Sequence, residues 1–185
     1  MSEEMILKQC SPTMAGLKTG NLFAYPNEDT AALNKSISAY NKRLVPKGIR
    51  MIPLGKTGSR TLIYMYRPEK LRSDLSHEIA RKILSDRGYP VGNADECVCM
   101  LARRIKDSSE FPHEIGLFLG YPSEDVYGFI KNKACCAKCI GTWKVYGDAE
   151  AAKKKFAGFE KCTRVYCDCY RRNIPFDRLA VCCTK

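Results

Sequence analysis

The stretch Thr61-Leu-Ile-Tyr-Met-Tyr66 is apolar on both faces of an extended chain, and no other feature restricts the fold so much. Alternate side chains of a strand point to opposite faces, so such a strand belongs in the middle of its sheet with both faces covered. Ahead of it, Gly55-Lys56-Thr57-Gly58 reads as a turn, making residues 48–54 and 60–67 the arms of a hairpin. Asp29-Thr30 can cap a helix over 30–44, where Leu33, Ile37, Tyr40 and Leu44 recur at helical spacing before Pro46 and Gly48 end it. At the front, Met5–Lys8 and Asn21–Tyr25 read as strands, with a helix starting at Ser11 or Pro12 between them.

Helices dominate the rest. Ser76 opens one that carries Ile79 and Ile83 and stops at Gly88, and Asp95 lies near the start of another with Val98, Leu101 and Ile105 on one face. Beyond Ser108-Ser109, Pro112 starts a short helix ending at Gly120, and Pro122 starts one through Ile130. The Gly120-Tyr121-Pro122 break makes this pair a helix–turn–helix in the geometric sense only. Thr142–Tyr146 reads as a strand, Asp148 caps a long helix over 149–171, and Leu179–Val181 reads as a last short strand. The buried face of the long helix carries Ala152, Phe156, Phe159, Tyr166 and Tyr170. The expectation is an α+β (mixed α/β) fold: one domain over 1–185, with a central small sheet, a β-hairpin and about six helices.

At 185 residues with 45% apolar and 10% aromatic side chains, the chain has material for a core and no signature of disorder. No window approaches the roughly 18 apolar residues of a membrane span. The start, Met1-Ser2-Glu3-Glu4-Met5, is acidic and lacks the pattern of an export signal, so the expected location is the cytoplasm. Eleven cysteines, an odd number, with no export signal read as reduced thiols: core residues, metal ligands or reactive groups. Net charge is +11, and residues 131–185 hold 13 basic and 5 acidic side chains together with 8 of the cysteines. This basic, Cys-rich segment suits either an anionic small molecule or protein partner or a plain solvated surface. No element that reads bases accompanies the charge, so sequence-specific nucleic-acid binding is not expected.

Several familiar motifs fail on spacing. Gly55-Lys56-Thr57 resembles the end of a phosphate loop, but the position of the first glycine is Arg50. His113-Glu114 lacks the second histidine of a zinc-protease helix, since Leu117 stands there. Cys10, where a strand gives way to a helix N-terminus, is either a small buried residue or a thiolate stabilised by unpaired N–H groups. Cys136 and Cys139 form a C-x-x-C pair, the spacing of zinc, iron–sulfur or dithiol chemistry. On the long helix Cys162 and Cys169 share the face of Phe159 and Tyr166, whereas Cys167 points away.

Three stretches carry a family resemblance: Cys10–Phe23, Phe111–Pro122 continuing through Ile130, and Cys139–Asp148 followed by Phe156 and Lys161-Cys162. They resemble domain-of-unknown-function family 3793 of anaerobic Firmicutes, mainly Clostridia. The resemblance implies no particular activity. It marks Cys10, Lys18, His113, Glu114, Cys139, Lys144, Tyr146 and Cys162, and implies an anaerobic cytosol where exposed thiols survive. In the family pattern a histidine often precedes the first cysteine; this chain has Gln9.

The leading expectation is a thiol-centred protein, with Cys10 as reactive thiolate or soft-metal ligand and His113-Glu114 as proton-transfer or orienting groups. Lys144 and Tyr146 alternate with Trp143 and Val145 and so can line the same pocket. The alternatives are a non-enzymatic zinc or iron–sulfur domain using Cys136, Cys139 and Cys162, and a basic anion- or nucleic-acid-associated module.

Overall fold

The computed structural model describes residues 1–26, 29–107 and 110–182. Ser108-Ser109, expected to precede the Pro112 helix, and Cys183 lie outside the described residues. The hairpin forms as its sequence demands: β2 (Arg50–Thr57) and β3 (Arg60–Tyr66) pair antiparallel across the two-residue turn Gly58-Ser59. Gly58 has φ +58°, the left-handed backbone that glycine adopts at the first turn position without steric cost. β1 (Gly20–Pro26) pairs with the other side of β3, giving the order β1-β3-β2 with β3 central. Pro53 sits on the edge strand β2, beside an irregularity in register between Pro53 and Gly55.

The alternation along β3 divides the core into two layers. Ile63 and Met65 face a cluster with Ile6, Leu7, Cys10 and Met14 of α1 (Glu3–Met14) and Leu33, Ile37 and Leu44 of α2 (Thr30–Leu44). Tyr64 and Tyr66 face the opposite cluster. That second layer is built from α3 (Pro68–Ser76), α4 (Glu78–Asp86), α5 (Ala94–Asp107), α6 (Ile115–Phe118) and α7 (Ser123–Lys131). The Tyr64 hydroxyl donates to the Phe118 carbonyl at 2.5 Å, so α6 is fixed to the sheet. The result is a mixed α+β single domain with helices on both faces of the sheet.

The front of the chain departs from expectation. Met5–Lys8 is not a strand, and no helix begins at Ser11 or Pro12: both belong to the single helix α1. Ser2 caps it by accepting from the Met5 N–H, Glu3 and Glu4 complement its positive end, and Ile6, Leu7, Cys10 and Met14 form one buried stripe. Pro12 lies in the last turn, near where the helix stops. α8 (Ala149–Arg171), capped by Asp148, matches the expected long helix and packs against α1.

At the C-terminal end, the expected strand over Leu179–Val181 is replaced by a short helix, α9 (Phe176–Leu179), after Pro175. The Val181 N–H donates to the Met14 carbonyl, and Lys47 donates to the carbonyls of Asp177 and Ala180. The buried Arg67 donates to the carbonyls of Thr13, Met14 and Val181, tying this segment to the end of α1. The strand expected over Thr142–Tyr146 shrinks to β5 (Lys144–Val145), paired with β4 (Cys139–Ile140). No helix among the described residues is long and apolar enough to cross a membrane.

Candidate functional site

The short β4–β5 hairpin owes its position to one carboxylate. Asp125, in the first turn of α7 and 3% exposed, accepts three hydrogen bonds of 2.7 Å, from the Trp143 indole N–H and from the backbone N–H groups of Tyr146 and Gly147. Two of its partners lie just beyond β5 and pull the chain out of the ladder, which explains why the strand is only two residues long. Trp143 is thereby held against α7, stacked on Tyr121 at 4.9 Å between ring centroids and edge-on to Phe156 at 4.5 Å. Gly128 lets Tyr146 pack on α7, since a β-carbon there would lie 2.5 Å from the tyrosine ring.

Between this hairpin and α6–α7 lies a cleft of about 360 Å³. Its walls are Phe111, Tyr121, Val126, Phe129, Ile140 and Trp143, and its polar side chains include His113 and Lys144. His113 meets the Phe129 ring edge-on at 5.1 Å, and the Lys144 ammonium lies 5.9 Å from the same ring. Among the described residues Lys144 donates one hydrogen bond, to the Ala134 carbonyl at 2.8 Å, which leaves two N–H directions for a ligand. Phe111 (47% exposed) and Ile140 (72% exposed) offer apolar surface at this cleft. An apolar cavity with a few convergent polar groups is the usual form of a small-molecule site.

Glu114, expected beside His113 in the same site, turns elsewhere. It is fully buried, accepts from the Tyr89 hydroxyl at 2.9 Å, and is flanked by Arg87 at 3.5 Å and Arg104 at 3.6 Å. This paired buried charge holds α4 and α5 to the start of α6. Tyr146 packs against α7 without lining the aromatic cleft, and its buried hydroxyl has no hydrogen-bond partner among the described residues.

The thiols are placed differently from expectation. Cys10 lies inside α1 with no exposed surface, and burial pushes its thiol well above the ordinary range. The helix N-terminus that was to stabilise its thiolate is at Glu3, two turns away. Cys136 is exposed in a turn with φ +60°, Cys139 is half-buried on β4, and Cys162 is buried on α8 with its thiol pushed up to about 11 by burial. Among the described residues no three His, Cys, Asp or Glu side chains come together to hold a metal ion, so Cys136, Cys139 and Cys162 do not form a ready-made zinc or iron–sulfur set. Cys167 does not point away: it is buried in the α1–sheet layer, where Tyr166, Cys169 and Tyr170 of the same helix end also pack.

Lys18 lies between α1 and β1 and is only 5% exposed. Its ammonium sits over the Tyr121 ring at 5.2 Å, and burial lowers its pKa to about 8. Tyr121 in turn donates to the Thr142 carbonyl at 3.2 Å. The three stretches that carried the family resemblance therefore meet in space, Lys18 from the first, Tyr121 from the second and Thr142 from the third. A family model described as "Protein of unknown function (DUF3793)" matches residues 6–180. The chain belongs to this family. No curated protein and no solved structure matches it. In this DUF3793 member, sequence reasoning missed Asp125 and Phe129 as site-building residues. The signal for Asp125 was ambiguous, because an acid in the first turn of a helix also serves the helix dipole.

Proposed function

We propose that this protein binds a small planar aromatic carboxylate in the cleft between α6–α7 and the β4–β5 hairpin. The observation that carries the reading is the composition of that cleft: aromatic and aliphatic walls with Lys144 and His113 as its basic groups. Trp143 and Phe129 take the ring, and the free donors of Lys144 meet the carboxylate. Cys10 has no part in this reading because it is sealed in the core. Among the described residues the thiols exposed to solvent are those of Cys99, Cys135, Cys136 and Cys182. The anionic partner suggested by the basic C-terminal segment becomes, on this reading, a small molecule.

The chain has one tryptophan, Trp143, and it lines the cleft. Titration with phenylacetate should therefore give a saturable change in tryptophan emission, and phenylacetamide, which lacks the charge, should bind more weakly. Lys144→Met should remove the difference between the two ligands while leaving the fold intact by circular dichroism. If neither ligand changes the emission saturably, the cleft is not a site of this kind.

A further inference from the structure

A second cleft, of about 530 Å³, shares Thr142 with the first and lies between the loop after α1 and the C-terminal half of α8. Lys18, Asn21, Thr142, Arg164 and Arg171 are among its lining residues. Lysines seldom go below a tenth exposed without an acidic partner, because an ammonium loses its hydration there. Lys18 is 5% exposed, and among the described residues its ammonium has no ion pair and donates no hydrogen bond. The ionisable groups around it do not supply a counter-charge. Cys10, from α1, is a buried thiol held in its neutral form. Tyr121 presents a ring face. On α8, Asp168 is bound to Arg171 at 2.8 Å and Glu160 is exposed. Arg164, exposed on the same cleft, has no ion pair among the described residues.

We propose that Lys18 is the nucleophile of a second site, which captures a small 2-oxo carboxylate as an imine, with Arg164 receiving the carboxylate. The lone pair of the neutral amine attacks the ketone carbon and opens its C=O bond to give a carbinolamine. The carbinolamine oxygen then leaves as water, taking the two amine protons, and the C=N bond forms. Nothing is oxidised or reduced, and no further reactant is consumed. Desolvation makes the neutral amine available: with a pKa lowered to about 8, roughly a quarter of Lys18 is unprotonated at pH 7.5, against about one part in a thousand for an ordinary lysine. Thr142 and Asn21 line the same cleft and can donate hydrogen bonds to the departing oxygen.

The test treats the intact protein at pH 7.5 with pyruvate and cyanoborohydride, which reduces any imine to a stable secondary amine, and maps the modified lysines by peptide mass spectrometry. Acetone, a ketone with no carboxylate, is run in parallel. The expected result is labelling of Lys18 by pyruvate at least about tenfold faster than at the exposed Lys153–Lys155 run, in line with its larger neutral fraction. Labelling by acetone should be slower, and Arg164→Gln should bring the pyruvate rate down to the acetone rate. Labelling of Lys18 no faster than the exposed run overturns the nucleophile. Equal labelling by pyruvate and acetone overturns the carboxylate class.

Discussion

Removing the carboxylate of Asp125 tests the architecture of the candidate site most directly. In Asp125→Ala, the Trp143 indole N–H and the backbone N–H groups of Tyr146 and Gly147 lose acceptors 2.7 Å away in a region where Asp125 itself is 3% exposed. A hydrogen bond to a charged group contributes about 1.5–3 kcal/mol net, and stranded buried donors cost a further share of their desolvation. The three bonds act on one short segment and are not additive, and the hairpin can open to water, so a loss of about 3–5 kcal/mol is expected. For a chain of this size that corresponds to a fall in Tm of about 6–20 °C. Asp125→Asn should lose roughly half as much, because one oxygen can still accept from Tyr146 and Gly147 while the amide group faces the indole N–H. Thermal unfolding followed in parallel by circular dichroism and by Trp143 emission checks both numbers. Release of the hairpin should red-shift the Trp143 emission of the alanine variant even below its melting point. A loss under about 1 kcal/mol with unchanged emission would refute the claim that this carboxylate holds the site together.

Burial orders the thiols: in limited alkylation of the folded protein, Cys135 and Cys136 should label early and Cys10 only on unfolding, read by peptide mass spectrometry. Lys18 should make stability pH-dependent, because a lysine whose pKa falls from about 10.4 unfolded to about 8 folded holds fewer protons in the folded state across that window. Its penalty is then full below pH 8, at most about 3 kcal/mol, and fades as pH rises towards about 10. Urea unfolding should accordingly show Lys18→Met more stable than the wild type at pH 7, with the gap closing by pH 10.

The parts of the fold legible in sequence are those where one local pattern settles the matter. The run Thr61–Tyr66 has no polar face, so it had to be the central strand, and Asp148 followed by a long amphipathic stretch could only be α8. The front of the chain was ambiguous because Met5–Lys8 is too short for its period to separate strand from helix. Pro12, which suits a helix start, here stands in a last turn. That reading placed Cys10 at an element junction instead of inside a helix. Cys167 was set apart for another reason: one buried face was assigned to α8, whereas its start packs Phe156 and Phe159 on Trp143 and its end packs Tyr166, Cys167 and Tyr170 on the α1 layer. The site was only half visible for a different reason. His113 and Lys144 are recognisable as chemistry-bearing residues, but they face the same cleft only because Asp125, some distance from either in sequence, grips the chain around Trp143. Lys18 shows the limit most clearly. In Gly16-Leu17-Lys18-Thr19-Gly20 the family resemblance marks the lysine, but nothing local predicts its burial. Tyr121, more than a hundred positions on, sets its ring against the ammonium, and the neighbouring α8 forms another wall of the cleft. A lysine's cost of desolvation is therefore set by contacts that exist only after the chain has folded, and so is any reactivity that follows from it.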